Sequence, residues 1–142
     1  MVTIPGFLRD EAVAALVAEA EAARDKAFFT SSTHNVYLTK PDPALAGDHV
    51  FNRQITSSKG CITTDQVPAG SGLHTIYDAP SFRRFLAQVV GEAALHEYAD
   101  PLSSINVHYA SEGQELGWHF DNSAFAVTLL LQEPEEGGEF QY

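Results

Sequence analysis

Apolar positions first recur at helical spacing over residues 8–26. Val13, Leu16, Val17, Ala20 and Ala23 fall on one stripe, and Glu11, Glu19, Glu21 and Asp25 occupy the opposite, solvated face. With Asp10 placed to cap it, this pattern predicts an amphipathic helix. A second helix is predicted over about residues 81–90, where Phe82, Phe85, Leu86 and Val89 share a face and Gly91 closes the last turn. A short helical piece over 92–98 is expected to follow, ended by Asp100-Pro101. Between the two main helices only short β-like runs are legible, at 35–38, 50–55 and 61–64. Turn-rich stretches such as Pro41-Asp42-Pro43 and Pro68-Ala69-Gly70-Ser71-Gly72 separate them.

From residue 103 the period changes to two. Over 103–110, Ile105, Val107 and Tyr109 lie on one face of an expected strand, with Asn106 and His108 on the other. After a polar loop at 111–116, residues 118–121 read as a short strand and 125–132 as a strongly β-forming one. In the latter, Phe125, Val127, Leu129 and Leu131 oppose Ala126, Thr128, Leu130 and Gln132. A turn over 133–138 leads to a further strand at 139–142. The pattern is α+β: a helical and mixed N-terminal region (1–102) feeding an antiparallel β-sandwich or barrel (103–142), together one domain of 142 residues.

Composition narrows the class. No run of about 18 apolar residues is present, so no membrane partner is expected. The opening Met1-Val2-Thr3-Ile4-Pro5-Gly6 lacks the basic and apolar regions of a secretory signal. The single cysteine, Cys61, excludes an internal disulfide framework and fits a reducing cytoplasm. A net charge of −11, with eight scattered Lys and Arg, argues against a nucleic-acid partner, because phosphate binding needs clustered cations.

The chemistry concentrates in Gly117-Trp118-His119-Phe120-Asp121. On a strand, residues i and i+2 share a face, so His119 and Asp121 can occupy adjacent coordination sites of one ion. A second histidine would complete a two-histidine, one-carboxylate triad with open positions suited to oxygen-activating Fe(II). Among 6 His and 19 acidic residues, chance supplies roughly one His-x-acid match. The other histidines (His34, His49, His74, His96 and His108) do not match and read as surface or satisfied structural residues. Trp118 and Phe120 face away from the two candidate ligands and are expected to pack in the core.

Context adds weight: the strand at 105–110, a loop with Gly113, the His-x-Asp motif, the β-rich run 125–132, then Gly137-Gly138-Glu139-Phe140. This order resembles the first half of the double-stranded β-helix, or jelly-roll, of the Fe(II)/2-oxoglutarate oxygenases, as does Ile4-Pro5-Gly6-Phe7-Leu8 before an amphipathic helix. More narrowly, residues 104–142 resemble the BesD/HalD-like group, which halogenates or hydroxylates free amino acids; weaker similarity runs through Phe51-Asn52-Arg53 and 57–64. The resemblance implies Fe(II), 2-oxoglutarate and O2 as cofactors, and a small-molecule substrate, an amino acid or a close derivative. Halogenases of the group carry a small residue where Asp121 stands, so the resemblance implies hydroxylation of an unactivated C–H, coupled to conversion of 2-oxoglutarate to succinate and CO2.

Supporting residues can be nominated beside it, each with a plainer alternative. Tyr109 matches a tyrosine that hydrogen-bonds the cosubstrate in relatives, or is a core aromatic. Thr128 reaches 2-oxoglutarate or bonds within the sheet. Arg53 holds a substrate carboxylate or makes a surface ion pair. Asn122 touches substrate at the rim or starts the turn. The family's distal histidine and its 2-oxoglutarate-binding arginine have no counterpart after Asp121. The 142 residues are therefore expected to be an N-terminal piece of a longer enzyme, inactive alone, or else a non-catalytic half-barrel pairing with a partner strand. A zinc hydrolase is a third possibility, but the chain has no Glu or His cluster at the usual spacing.

Overall fold

The computed structural model describes residues 2–98 and 100–141, which form an α+β structure. Two compact units divide it. The first gathers residues 2–27, 62–107 and 129–133 and contains the helices; the second gathers 28–61, 108–128 and 134–141 and holds most of the sheet.

In the first unit, α1 spans Asp10–Ala23 and continues as one 3-10 turn, Arg24–Lys26. The expected stripe is the packed face: Leu16 and Ala23 are buried, and Val13, Val17 and Ala20 are half-buried. Asp10 is not the cap. Arg9 holds that position without a side-chain bond, and Asp10 and Glu11 sit in the first turn, where carboxylates favour the positive end of the helix dipole. Helix α2, Gly72–Asp78, was not legible in the sequence. Ser71 starts it, its hydroxyl accepting from Leu73 N–H at 3.1 Å, and it packs against α1 with Gly72 beside Leu16. Helix α3, Pro80–Val90, matches the expected second helix. Pro80 fixes its first turn and Gly91 ends it at φ 77°, a left-handed conformation that favours glycine. Phe82 meets Phe7 in a tilted ring contact, 5.3 Å between centroids. The helical piece expected at 92–98 is absent: those residues have no regular structure, and Arg83 of α3 reaches Glu97 at 2.7 Å.

In the sheet, β1 (Phe28–His34) and β2 (Ile55–Ile62) run antiparallel, with β3 (Val107–Tyr109) on the other side of β2. The register pairs Phe29 with Gly60 and His34 with Ile55. Gly60 leaves room for the Phe29 ring, which a Cβ would meet at 2.6 Å. The ring lies across the glycine and approaches Tyr109, 6.4 Å between centroids. Alternation on β3 is as expected, with Tyr109 buried and His108 exposed.

Several expected strands are not strands. Residues 35–38 form a turn organised by Asn35, which is fully buried; its Oδ1 accepts from Tyr37 N–H and Thr39 N–H at 3.2 and 3.0 Å. The expected run 50–55 is mostly turn, and β2 begins only at Ile55. Residues 118–121, 125–132 and 139–141 have no regular structure; Tyr142 lies outside the described residues. A strand needs a neighbour to take its amides, and among the described residues no backbone hydrogen bond joins 125–132 to another segment. Propensity alone does not supply that ladder.

Candidate functional site

The segment carrying the motif is held against β2 and the residues that follow β1. Ser58 N–H donates to the Glu115 carbonyl at 2.7 Å, Gly117 N–H to Ser57 Oγ at 2.9 Å, and Phe120 N–H to the Val36 carbonyl at 2.8 Å. Gly117 is buried, and a Cβ there would stand 2.5 Å from Ile55 Cγ2 and 2.6 Å from the Thr56 carbonyl oxygen. Only glycine lets the backbone come this close to β2.

His119 Nδ1–H donates to the Gly117 carbonyl at 2.7 Å. A carbonyl oxygen can only accept, so in the neutral ring the proton sits on Nδ1 and the lone pair on Nε2. That Nε2 faces Asp121 Oδ1 at 3.4 Å. Two lone-pair-bearing atoms at this separation repel unless a proton or a cation lies between them. Two ligands each about 2.1 Å from one metal ion, on adjacent coordination sites, stand roughly 3 to 3.5 Å apart. The pair therefore fits a metal in both chemistry and spacing, and the bond from Nδ1 to a carbonyl is the arrangement that orients metal-ligating imidazoles. The side chains are 28% and 55% exposed, open enough for an ion to enter.

The structure brings together these two candidates and none of the others. Tyr109 is buried beside Phe29. Thr128, Asn122 and Arg53 are exposed, and no hydrogen bond or ion pair among the described residues joins them to His119 or Asp121; Arg53 makes no ion pair there either. Trp118 and Phe120 are not core residues. They are 56% and 65% exposed, and Phe120 stacks on Tyr37 at 5.5 Å, which in turn stacks on Phe51 at 5.1 Å. Among the described residues no three His, Cys, Asp or Glu side chains converge.

Two neighbours were missed in the sequence. The ring of His34 meets that of His119 edge-on, 5.7 Å between centroids, and Ser57 bonds both His34 and Gly117. Neither stands in a motif; the only sequence signal was a histidine at the end of a polar run.

Cys61 is the one cysteine of the chain. It is half-buried, and burial pushes its thiol pKa up, with the Lys59 ammonium only partly opposing.

No curated protein and no solved structure matches the chain. A family model described as Halogenase D matches residues 1–142, the whole length given. This chain belongs to the Halogenase D family.

Proposed function

We propose that the chain supplies His119 and Asp121 as two metal ligands of an Fe(II)/2-oxoglutarate-dependent oxygenase that hydroxylates an unactivated C–H of a free amino acid or similar small molecule. The observation that carries this reading is His119 Nε2 held 3.4 Å from Asp121 Oδ1 while Nδ1 is committed to a backbone carbonyl. Membership in the halogenase family supports the oxygenase class. Asp121 supports hydroxylation within it, because a carboxylate takes the coordination site that a halide would need.

Fe(II) with 2-oxoglutarate would supply the oxidising chemistry when bound. The chain's own contribution is orientation. The Gly117 carbonyl holds His119 Nδ1–H, and Asp121 would provide a negative charge to a bound cation. Tyr109 and Thr128 remain proposed contacts to 2-oxoglutarate, and Asn122 and Arg53 to substrate; the two last are exposed and open to a ligand. A third metal ligand would come from elsewhere than this pair.

The test is made on the protein with Fe(II), 2-oxoglutarate, O2, chloride and a panel of amino acids, read by mass spectrometry and by succinate release. The expected product gains one oxygen, and Asp121→Gly abolishes hydroxylation and admits chlorination. A chlorinated product from the unaltered protein would overturn the hydroxylase reading. The absence of succinate across the panel would overturn the enzyme reading.

One observation favours a second reading, a non-catalytic module that takes up a partner strand. Phe125, Val127 and Leu130 are 43%, 64% and 64% exposed on a β-prone run without a ladder. That reading expects no succinate.

A further inference from the structure

We infer that Ser57 and His34 are positioning residues for the His119 imidazole, an inference that rests on the metal-centre reading above. His34 and Ser57 come from adjacent antiparallel strands. His34 pairs with Ile55 and Ser32 with Ser57, so His34 is the diagonal neighbour of Ser57 on the same face, within reach of a long side chain.

The hydrogens in this group have one consistent order. His34 Nδ1 lies 3.0 Å from the Asn35 carbonyl, which can only accept, so in the neutral ring the His34 proton is on Nδ1 and Nε2 is an acceptor. Ser57 Oγ lies 2.7 Å from that Nε2 and donates its hydrogen to it. The hydroxyl's lone pair is then turned toward Gly117 N–H, which it accepts at 2.9 Å. Gly117, pinned by its amide, presents its carbonyl to His119 Nδ1–H at 2.7 Å. Four hydrogen bonds thus run from the Asn35 carbonyl to His119, each with a fixed direction, and the last one leaves Nε2 of His119 bare and facing Asp121. The ring of His34 also stands edge-on to that of His119, 85° between planes, and limits its rotation. Gly117 has no side chain to hold it, so the Ser57 hydroxyl is the side-chain contact that anchors its backbone beside His119.

The test uses the metal-free protein at a pH above the imidazole range, where 15N shifts of the His119 ring report its tautomer directly. The unaltered protein and Ser57→Thr, which keeps the hydroxyl, show the Nδ1–H form. Ser57→Ala and His34→Phe shift His119 toward the Nε2–H form. Co(II) titration then shows binding weakened about 10- to 100-fold in S57A and H34F and near the unaltered value in S57T. An unchanged His119 tautomer in folded S57A would overturn the inference; if S57A does not fold, H34F against S57T decides it in the same way. Failure of the metal reading is distinguishable. There the unaltered protein binds no Co(II), while the tautomer shifts of S57A and H34F still appear and the relay stands.

Discussion

Gly117 lies so close to Ile55 that an added Cβ would fall 2.5 Å from the Ile55 Cγ2 methyl, and the Thr56 carbonyl is as near at 2.6 Å. The neighbour is strand backbone and a branched side chain, neither of which can swing aside. Gly117→Ala is therefore expected to push the motif segment off β2 and cost about 1–3 kcal/mol of stability. Gly47→Ala, where nothing stands within 4 Å, is the control and should stay within about 0.5 kcal/mol. Urea midpoints measure both. Equal midpoints for the two variants would mean that the close approach does not exist in solution.

Asn52 is 7% exposed and organises the loop before β2. Its Nδ2 lies 2.9, 3.1 and 3.1 Å from the carbonyls of Asp42, Leu45 and Ala46, its two hydrogens shared among the three, and its Oδ1 accepts from Asp42 N–H at 2.7 Å. Asn52→Ala leaves these backbone groups without that partner and should cost about 1–3 kcal/mol. Asn52→Asp, which keeps the acceptor and loses the donors, should be damaging as well. A wild-type thermal midpoint for either variant would contradict this.

His108 carries a pH signature. Partial loss of hydration, and after it the Lys59 ammonium 3.4 Å from both ring nitrogens, lower its pKa below the usual imidazole value. In the unfolded chain the ring titrates near about 6.5. As the pH falls through that value the unfolded state takes up the proton first, so stability is lost until the folded pKa is passed. The melting temperature of the unaltered protein should fall more steeply below about pH 6.5 than that of His108→Gln. Lys59→Met should flatten part of the difference. Parallel curves for all three proteins would refute the linkage.

Cys61 responds in the opposite sense. Its folded pKa is raised, so its contribution to stability is present below the unfolded thiol value near about 8.5 and is lost as the pH rises beyond it. At about pH 8.5 iodoacetamide should alkylate the native protein more slowly than the urea-unfolded chain, as read by mass spectrometry. Because Lys59 pulls the thiol pKa down, Lys59→Met should slow the native reaction further. Equal rates in the native and unfolded protein would sink this expectation.

The helices were legible because their information is local. The stripe from Val13 to Ala23 and the Phe82–Val89 face closed by Gly91 each lie within a few turns, and the structure forms helices at both. Helix α2 escaped because seven residues, Gly72–Asp78, are too few to show a period. The strands were harder for a different reason. Phe28–His34 is nearly all exposed and shows no alternation in burial, and it is a strand only because β2 pairs with it. Residues 125–132 have the propensity, but among the described residues no backbone ladder joins them.

By itself, the sequence determined that His119 and Asp121 stand two apart beside a glycine, and hence which two side chains are candidates for one ion. The tertiary structure decided how His119 is aimed. The β1–β2 register brings His34 diagonal to Ser57, Ser57 holds Gly117, and Gly117 fixes the tautomer of His119. No spacing rule contains that relation, because it joins residues 23 and 60 positions apart through hydrogen bonds that exist only once the strands have paired.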